Sequence, residues 1–149
     1  MVKDKFFTKK KRKGSDFLYK EIVFSIIIIV VVVFENILTQ NYTHDSVRKT
    51  TSKLEELKQE LLVDSKDDID WNKAKEDFMT LQTEWRNSFE KLAYYIEHDE
   101  LEKVDTNLIG LKSYIETEEE SDAVSELEKS VFVLKHIEDK TRMNLKNIF

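Results

Sequence analysis

The chain contains no cysteine and no proline, and its only glycines are Gly14 and Gly110. Without cysteine there is no disulfide, thiolate zinc site, iron–sulfur cluster or lipid-modified thiol. Two isolated glycines cannot build a phosphate-cradling loop, a dinucleotide fingerprint or a nucleophile elbow. Turns that need positive φ are scarce for the same reason, which favours helices joined by short polar connections over strands and tight hairpins. Alanine is missing ahead of Ala74, so no A-x-A-like cleavage site follows the apolar run at residues 22–34.

What is present is charge, and it is unevenly placed. Residues 1–20 hold eight Lys/Arg against two Asp, whereas residues 21–149 hold 16 basic against 28 acidic side chains. The net charge of −6 therefore hides a basic N-terminus and an acidic remainder. The acidic part offers no cationic face to displace phosphate counterions, so nucleic acid is not an expected partner. Ile22 to Val33 reads IVFSIIIIVVVV, and Phe34 extends this apolar run to 13 residues. As a helix that is about 20 Å, short of the roughly 30 Å hydrocarbon core. Phe17-Leu18-Tyr19 leading in and Ile37-Leu38-Thr39 leading out close the deficit, with Lys20, Glu21 and Glu35 reaching toward the headgroups. The expectation is an uncleaved transmembrane helix over 17–39, a basic cytoplasmic segment over 1–16 and an extracytoplasmic helical domain over 40–149. Lys9, Lys10, Lys11, Arg12 and Lys13 place the N-terminus in the cytoplasm by the positive-inside bias, and they are the candidate lipid-surface contacts.

After the span the pattern predicts an all-α antiparallel bundle of four amphipathic segments. Segment A (46–63) turns Val47, Leu54, Leu57 and Leu61 to one face and continues the membrane helix. Asp64 to Asp70 is a turn, with Asp70 as the N-cap of segment B. B carries Trp71, Ala74, Phe78, Leu81, Trp85, Phe89, Leu92 and Tyr95/Ile96 at steps of three and four, and reads as running to His98. Segment C, capped by Asp99, repeats the spacing through Leu101, Val104, Leu108, Leu111 and Ile115. Segment D, capped by Ser121, does so through Val124, Leu127, Val131, Leu134 and Ile137. Short connections make neighbours antiparallel. With B at about 28 residues and C at about 17, C and D should cover B from Trp85 to His98, leaving A to cover Trp71 to Leu81.

The pattern Asp70-Trp71-x-x-Ala74, Trp85, His98-x-Glu100, Leu108-x-x-Leu111 and a closing Leu145-Lys146-Asn147-Ile148 resembles an uncharacterised domain-of-unknown-function family. Its members are small single-span, extracytoplasmic helical proteins of low-GC Gram-positive bacteria, and the resemblance spans nearly the whole chain, anchor included. It implies a topology and a fold but no activity. Such proteins are often encoded beside YetF-like membrane proteins, which implies a protein partner in the membrane. Members often carry a proline shortly after the position of His136, where this chain has Glu138-Asp139, so the resemblance leaves open whether segment D breaks there.

Side chains able to do chemistry are few. His98 and His136, with Glu97, Glu100 and Glu138 near them in sequence, are the metal candidate. Against it, no Glu-x-x-His or His-x-x-x-His pair occurs, and histidine is common at helix ends for dipole reasons. A calcium-loop reading of Asp64, Asp67, Asp68 and Asp70 fails because the sixth position is Ile69 rather than glycine and the twelfth is Lys75. No cofactor and no catalysis are expected. Trp71, Trp85, Tyr94, His98 and His136 remain as candidate partner or ligand contacts; the aromatic stripe of B reads first as core, and Tyr94, off that stripe, as the exposed member. The tail, with Met143, Leu145, Ile148 and Phe149, is expected to fold back as core or to dip into the interface beside Arg142 and Lys146. The functional expectation is a membrane-anchored, non-enzymatic interaction module, accessory to another membrane protein. The alternative is an extracytoplasmic small-ligand sensor with its cavity near Trp85.

Overall fold

The computed structural model describes the backbone of residues 4–146 and the side chains of residues 18–142 other than Lys66. The described residues are helical, with no strand: α1 (Asp4–Leu61), a 3-10 turn (Lys66–Asp68), α2 (Trp71–Leu92), α3 (His98–Glu116) and α4 (Glu120–Lys146). The chain divides into two units, Met1–Thr39 and Gln40–Phe149.

In the first unit, every large apolar side chain from Leu18 to Leu38 is exposed. The most apolar 18-residue window of this helix has a mean hydropathy of 2.7, and 0% of it is buried within the protein. A run of Ile and Val is a weak helix former in water, whereas in lipid a helix is the one way for a single segment to satisfy its own backbone. Ser25, the polar interruption, donates its hydroxyl to the Glu21 carbonyl at 2.9 Å and so adds no unsatisfied group. Among the described residues, one helix is thus long and apolar enough to cross a membrane. The side chains of Lys9, Lys10, Lys11, Arg12 and Lys13 lie outside the described residues, as do those of Met143, Leu145, Ile148 and Phe149.

In the second unit, ion pairs report which helices are neighbours and which way they run. Lys49 and Lys53 of α1 reach Glu84 of α2 at 3.2 and 3.0 Å, and Lys73 early in α2 pairs with Glu60 late in α1. Lys75 meets Glu118, just past α3, at 3.0 Å. Lys140, late in α4, meets Glu97, just ahead of α3, at 3.0 Å. The ring closes between α1 and α4 through Lys58–Glu128 at 2.6 Å and His44–Glu138 at 3.1 Å. Each pair joins the early part of one helix to the late part of its neighbour, so the topology is up-down-up-down. Such exposed pairs are screened by solvent and salt and add little to stability. Stability comes from the buried stripes: Leu54, Leu57 and Leu61 of α1 meet Phe78, Leu81 and Trp85 of α2, Leu101, Leu108 and Leu111 of α3, and Leu127, Leu134 and Ile137 of α4 in one core. Helices α3 and α4 pass closely at Gly110, where an added Cβ would lie 3.2 Å from Glu126 Cγ.

The capping aspartate is where its sequence context puts it: Asp70 Oδ1 accepts the Lys73 backbone N–H at 3.0 Å. Asp70→Ala should cost about 1 kcal/mol, read as a lower urea midpoint at unchanged m-value.

Several boundaries differ from the periodicity. α2 stops at Leu92 rather than His98, because residues 93–96 form a turn in which Tyr95 and Ile96 N–H both return to the Leu92 carbonyl, at 2.9 and 2.8 Å. Ile96 still packs on the core, so the four-residue step from Leu92 is honoured by a reversal instead of another helical turn. His98 opens α3, and its N-cap is Glu97, without a side-chain cap bond, not Asp99. α4 starts at Glu120, ahead of Ser121, and runs unbroken through Glu138-Asp139. Ala123 takes the fully buried place expected of Val124, which is only partly buried. With 22 and 19 residues, α2 and α3 are nearly equal in length. The Lys75–Glu118 pair shows α3 reaching the Trp71 end of α2 rather than half-covering it.

The α3–α4 connection solves the shortage of glycine with a strained residue. Glu118 sits at φ 61, and the Glu119 N–H returns to the Tyr114 carbonyl at 2.9 Å, a Schellman closure where glycine is usual. Glu118→Gly should raise stability by about 0.5–1 kcal/mol in urea melts, since relief of the left-handed backbone outweighs loss of the exposed Lys75 pair.

Candidate functional site

Most of the candidate residues gather at the end of the bundle where Gln40 begins the second unit. The Lys91 ammonium lies 5.4 Å from the centroid of the Tyr42 ring, which sets the end of α2 level with the unit's first helical turn. Past Leu92 the chain reverses, and Tyr94 and Tyr95 stand outward, 82% and 58% exposed, with ring centroids 6.3 Å apart. His98 meets Phe89 edge to face at 6.0 Å and pairs with Glu102 at 3.2 Å. His136 faces a different carboxylate, Glu100, at 3.7 Å.

Glu100 is the buried acid of this end, 7% exposed. It also accepts from Lys140 Nζ at 3.4 Å. The hydrogen bond to Glu97, and then that to Glu100, raises the Lys140 pKa above the usual lysine value. The two histidines therefore face separate carboxylates. Among the described residues no group of three or more His, Asp or Glu converges as a metal cage would.

Between α1 and α4 at the same end lies a cleft of about 130 Å³ lined by Gln40, Asn41, Thr43, His44, Glu138, Thr141 and Arg142. Thr43 is fully buried, and its hydroxyl has no hydrogen-bond partner in the structure. The sequence held a signal for this face that the apolar reading of segment A passed over. Thr43, Val47, Thr50, Leu54, Leu57 and Leu61 are spaced four, three, four, three and four residues apart, and all six are buried. Hydroxyls simply replace methyls in the first turns of the stripe.

Trp85 is core, 1% exposed, with Phe89 edge-on at 6.1 Å. Trp71 is half-buried against the same core. The α1–α4 cleft is not lined by Trp85, and neither is an open groove of about 490 Å³ lined by Lys103, Asn107, Ser125, Glu128, Lys129, Phe132 and Val133. In that groove Phe132 is 73% exposed, one residue past the inward Val131 and therefore about 100° around the helix.

Away from this end, the Glu84 carboxyl is held below the usual range by a hydrogen bond from Lys53 and then by Lys49. A lowered carboxyl stabilises fully above the ordinary glutamate pKa of about 4.3, and the effect is lost as pH falls through the lowered value. Glu84→Gln should therefore weaken the bundle at neutral pH but match the parent at a pH below both values, as compared by urea melts at the two.

A four-helix bundle whose first helix also carries a stretch long and apolar enough for a single membrane crossing defines the class of the protein. Within it, the profile of the domain of unknown function DUF4363 matches residues 37–148, and the chain belongs to that family. The match begins at Ile37, so it covers the bundle and leaves the apolar run outside. Comparison with curated proteins and with solved structures finds no match.

Proposed function

We propose that the protein is a membrane-anchored extracytoplasmic interaction module, accessory to another membrane protein and without catalysis of its own. The observation that carries this reading is the exposed apolar helix, whose 18-residue window at mean hydropathy 2.7 has no cover in the protein. A surface of that size requires lipid or another protein around it. The basic cluster ahead of the run supports a cytoplasmic N-terminus and an exterior bundle. A protein partner is supported by Phe132, a large apolar side chain standing in an open groove flanked by Lys103 and Lys129. The resemblance to proteins encoded beside YetF-like membrane proteins points to a partner of that kind.

Crosslinking in the native membrane, followed by purification in mild detergent, tests the reading. A membrane protein should co-purify with the parent and be lost with Phe132→Glu. Repeated recovery of the chain alone counts against it.

A second reading, small-ligand binding, is favoured by one observation: the unpartnered Thr43 hydroxyl in a cleft with His44 and Arg142. Inorganic phosphate should then raise the melting temperature of the parent and not of Arg142→Ala. No shift with the parent ends this reading.

A further inference from the structure

We propose that the α1–α4 cleft binds a small zwitterion, an α-amino acid of the size of glycine, alanine or serine; this rests on the small-ligand reading above and names its ligand class. Every side chain lining the cleft belongs to the second unit. Two of them are opposite charges on α4. Glu138 and Arg142 stand four residues apart with the acid first, the spacing and order that favour a helical ion pair. They do not pair. Glu138 meets His44 Nε2 at 3.1 Å, and Arg142 has no ion-pair partner among the described residues. Cβ atoms at this spacing are about 5–6 Å apart. An ammonium and a carboxylate carried on one carbon bridge such a gap with a charge-assisted hydrogen bond at each end.

Helix α1 supplies a third group. Thr43 is fully buried and its hydroxyl has no hydrogen-bond partner, whereas the Thr141 hydroxyl on the facing helix already donates to the Ile137 carbonyl at 2.8 Å. A ligand carboxylate gives the Thr43 hydroxyl the acceptor that the bundle does not, beside the Arg142 guanidinium. The ammonium donates to Glu138, whose Oε1 faces His44 and whose Oε2 is left for the ligand. Phosphate engages the Arg142 side alone and is repelled by Glu138, so the charge pattern favours a zwitterion over a simple anion or a simple cation. Size agrees: the cleft is about 130 Å³, room for about four or five water-sized groups at about 30 Å³ each, which suits a small amino acid rather than a nucleotide.

Isothermal titration calorimetry of the full chain in detergent micelles compares alanine with acetate, ethylammonium and inorganic phosphate at one pH and ionic strength. Alanine should bind about tenfold tighter than any of the three, because it alone makes both charge-assisted contacts. Glu138→Gln should bring alanine down to the level of acetate without weakening acetate or phosphate, and Arg142→Ala should abolish binding of all three. Both residues lie outside the core, so these variants keep the parent's helicity by circular dichroism. Thr43→Val separates binding from folding: loss of an unpartnered buried hydroxyl should hold or raise the melting temperature while alanine binds severalfold more weakly. A fall in both would make the hydroxyl structural and remove it from the site. If acetate and phosphate match alanine and Glu138→Gln changes nothing, the cleft is an anion site; the zwitterion is wrong and the small-ligand reading stands. Ethylammonium matching alanine would overturn the zwitterion equally, in favour of a cation site. If none of the four binds, the proposal and the reading beneath it fall together.

Discussion

Trp85→Ala is expected to destabilise the bundle by about 3–5 kcal/mol, enough to consume much of the stability of a domain this size. Trp85 is 1% exposed and is the largest of the fully buried side chains. It lies midway along α2, among stripes contributed by all four helices. Removing the indole leaves a cavity that helices joined by short turns cannot close by sliding, so the lost transfer energy and the cavity penalty add. A sharper test comes from the indole N–H, which is buried without a hydrogen-bond partner in the structure. Trp85→Phe keeps most of the ring and deletes that donor, so its cost should stay below about 1.5 kcal/mol. Urea melts of the full chain in detergent micelles, followed at 222 nm, give both numbers. Equal losses for Ala and Phe would mean that the ring's packing is not what matters there.

Ile28→Arg/Val31→Arg is expected to abolish membrane integration while leaving the bundle's melt unchanged. Residues 17–39 contain sixteen Leu, Ile, Val and Phe, each favouring insertion by about 0.3–0.6 kcal/mol, or roughly 5–10 kcal/mol together. An arginine at the centre of a span costs about 2.5–3.5 kcal/mol, so one is tolerated and two nearly cancel the driving force. Both positions are exposed within the protein, so no packing inside the chain is disturbed. The measurement is resistance to alkaline carbonate extraction from native membranes. Parent and single variants should stay in the pellet and the double variant should leave it. A double variant that remains as resistant as the parent would show that the apolar run does not span.

Much of the helical architecture was readable without a structure. Steps of three and four from Leu101 to Ile115 mark a helix face whose five apolar members are all buried. Asp70 could be recognised as a cap because a short acceptor ahead of a periodic run satisfies a free N–H wherever the helix packs. The candidate contacts were less legible. Trp85 is core, as its place on the stripe of segment B first reads, while Phe132, not singled out at all, is exposed. Residue type does not say which way a side chain points; that depends on the angular position of the neighbouring helices.

The sequence by itself determined that this chain forms helices, where its longest apolar run lies and which residues make the bundle's stripes, because these follow from local spacing, capping chemistry and the near absence of glycine and proline. Only the tertiary structure decided where α2 stops. The four-residue step from Leu92 to Ile96 suits a continuing helix and a reversal equally, and what settles it is whether Ile96 finds its cover further along α2 or back on the end of the core. That one choice turns Tyr94 and Tyr95 outward, hands His98 to α3 and makes α2 and α3 nearly equal in length.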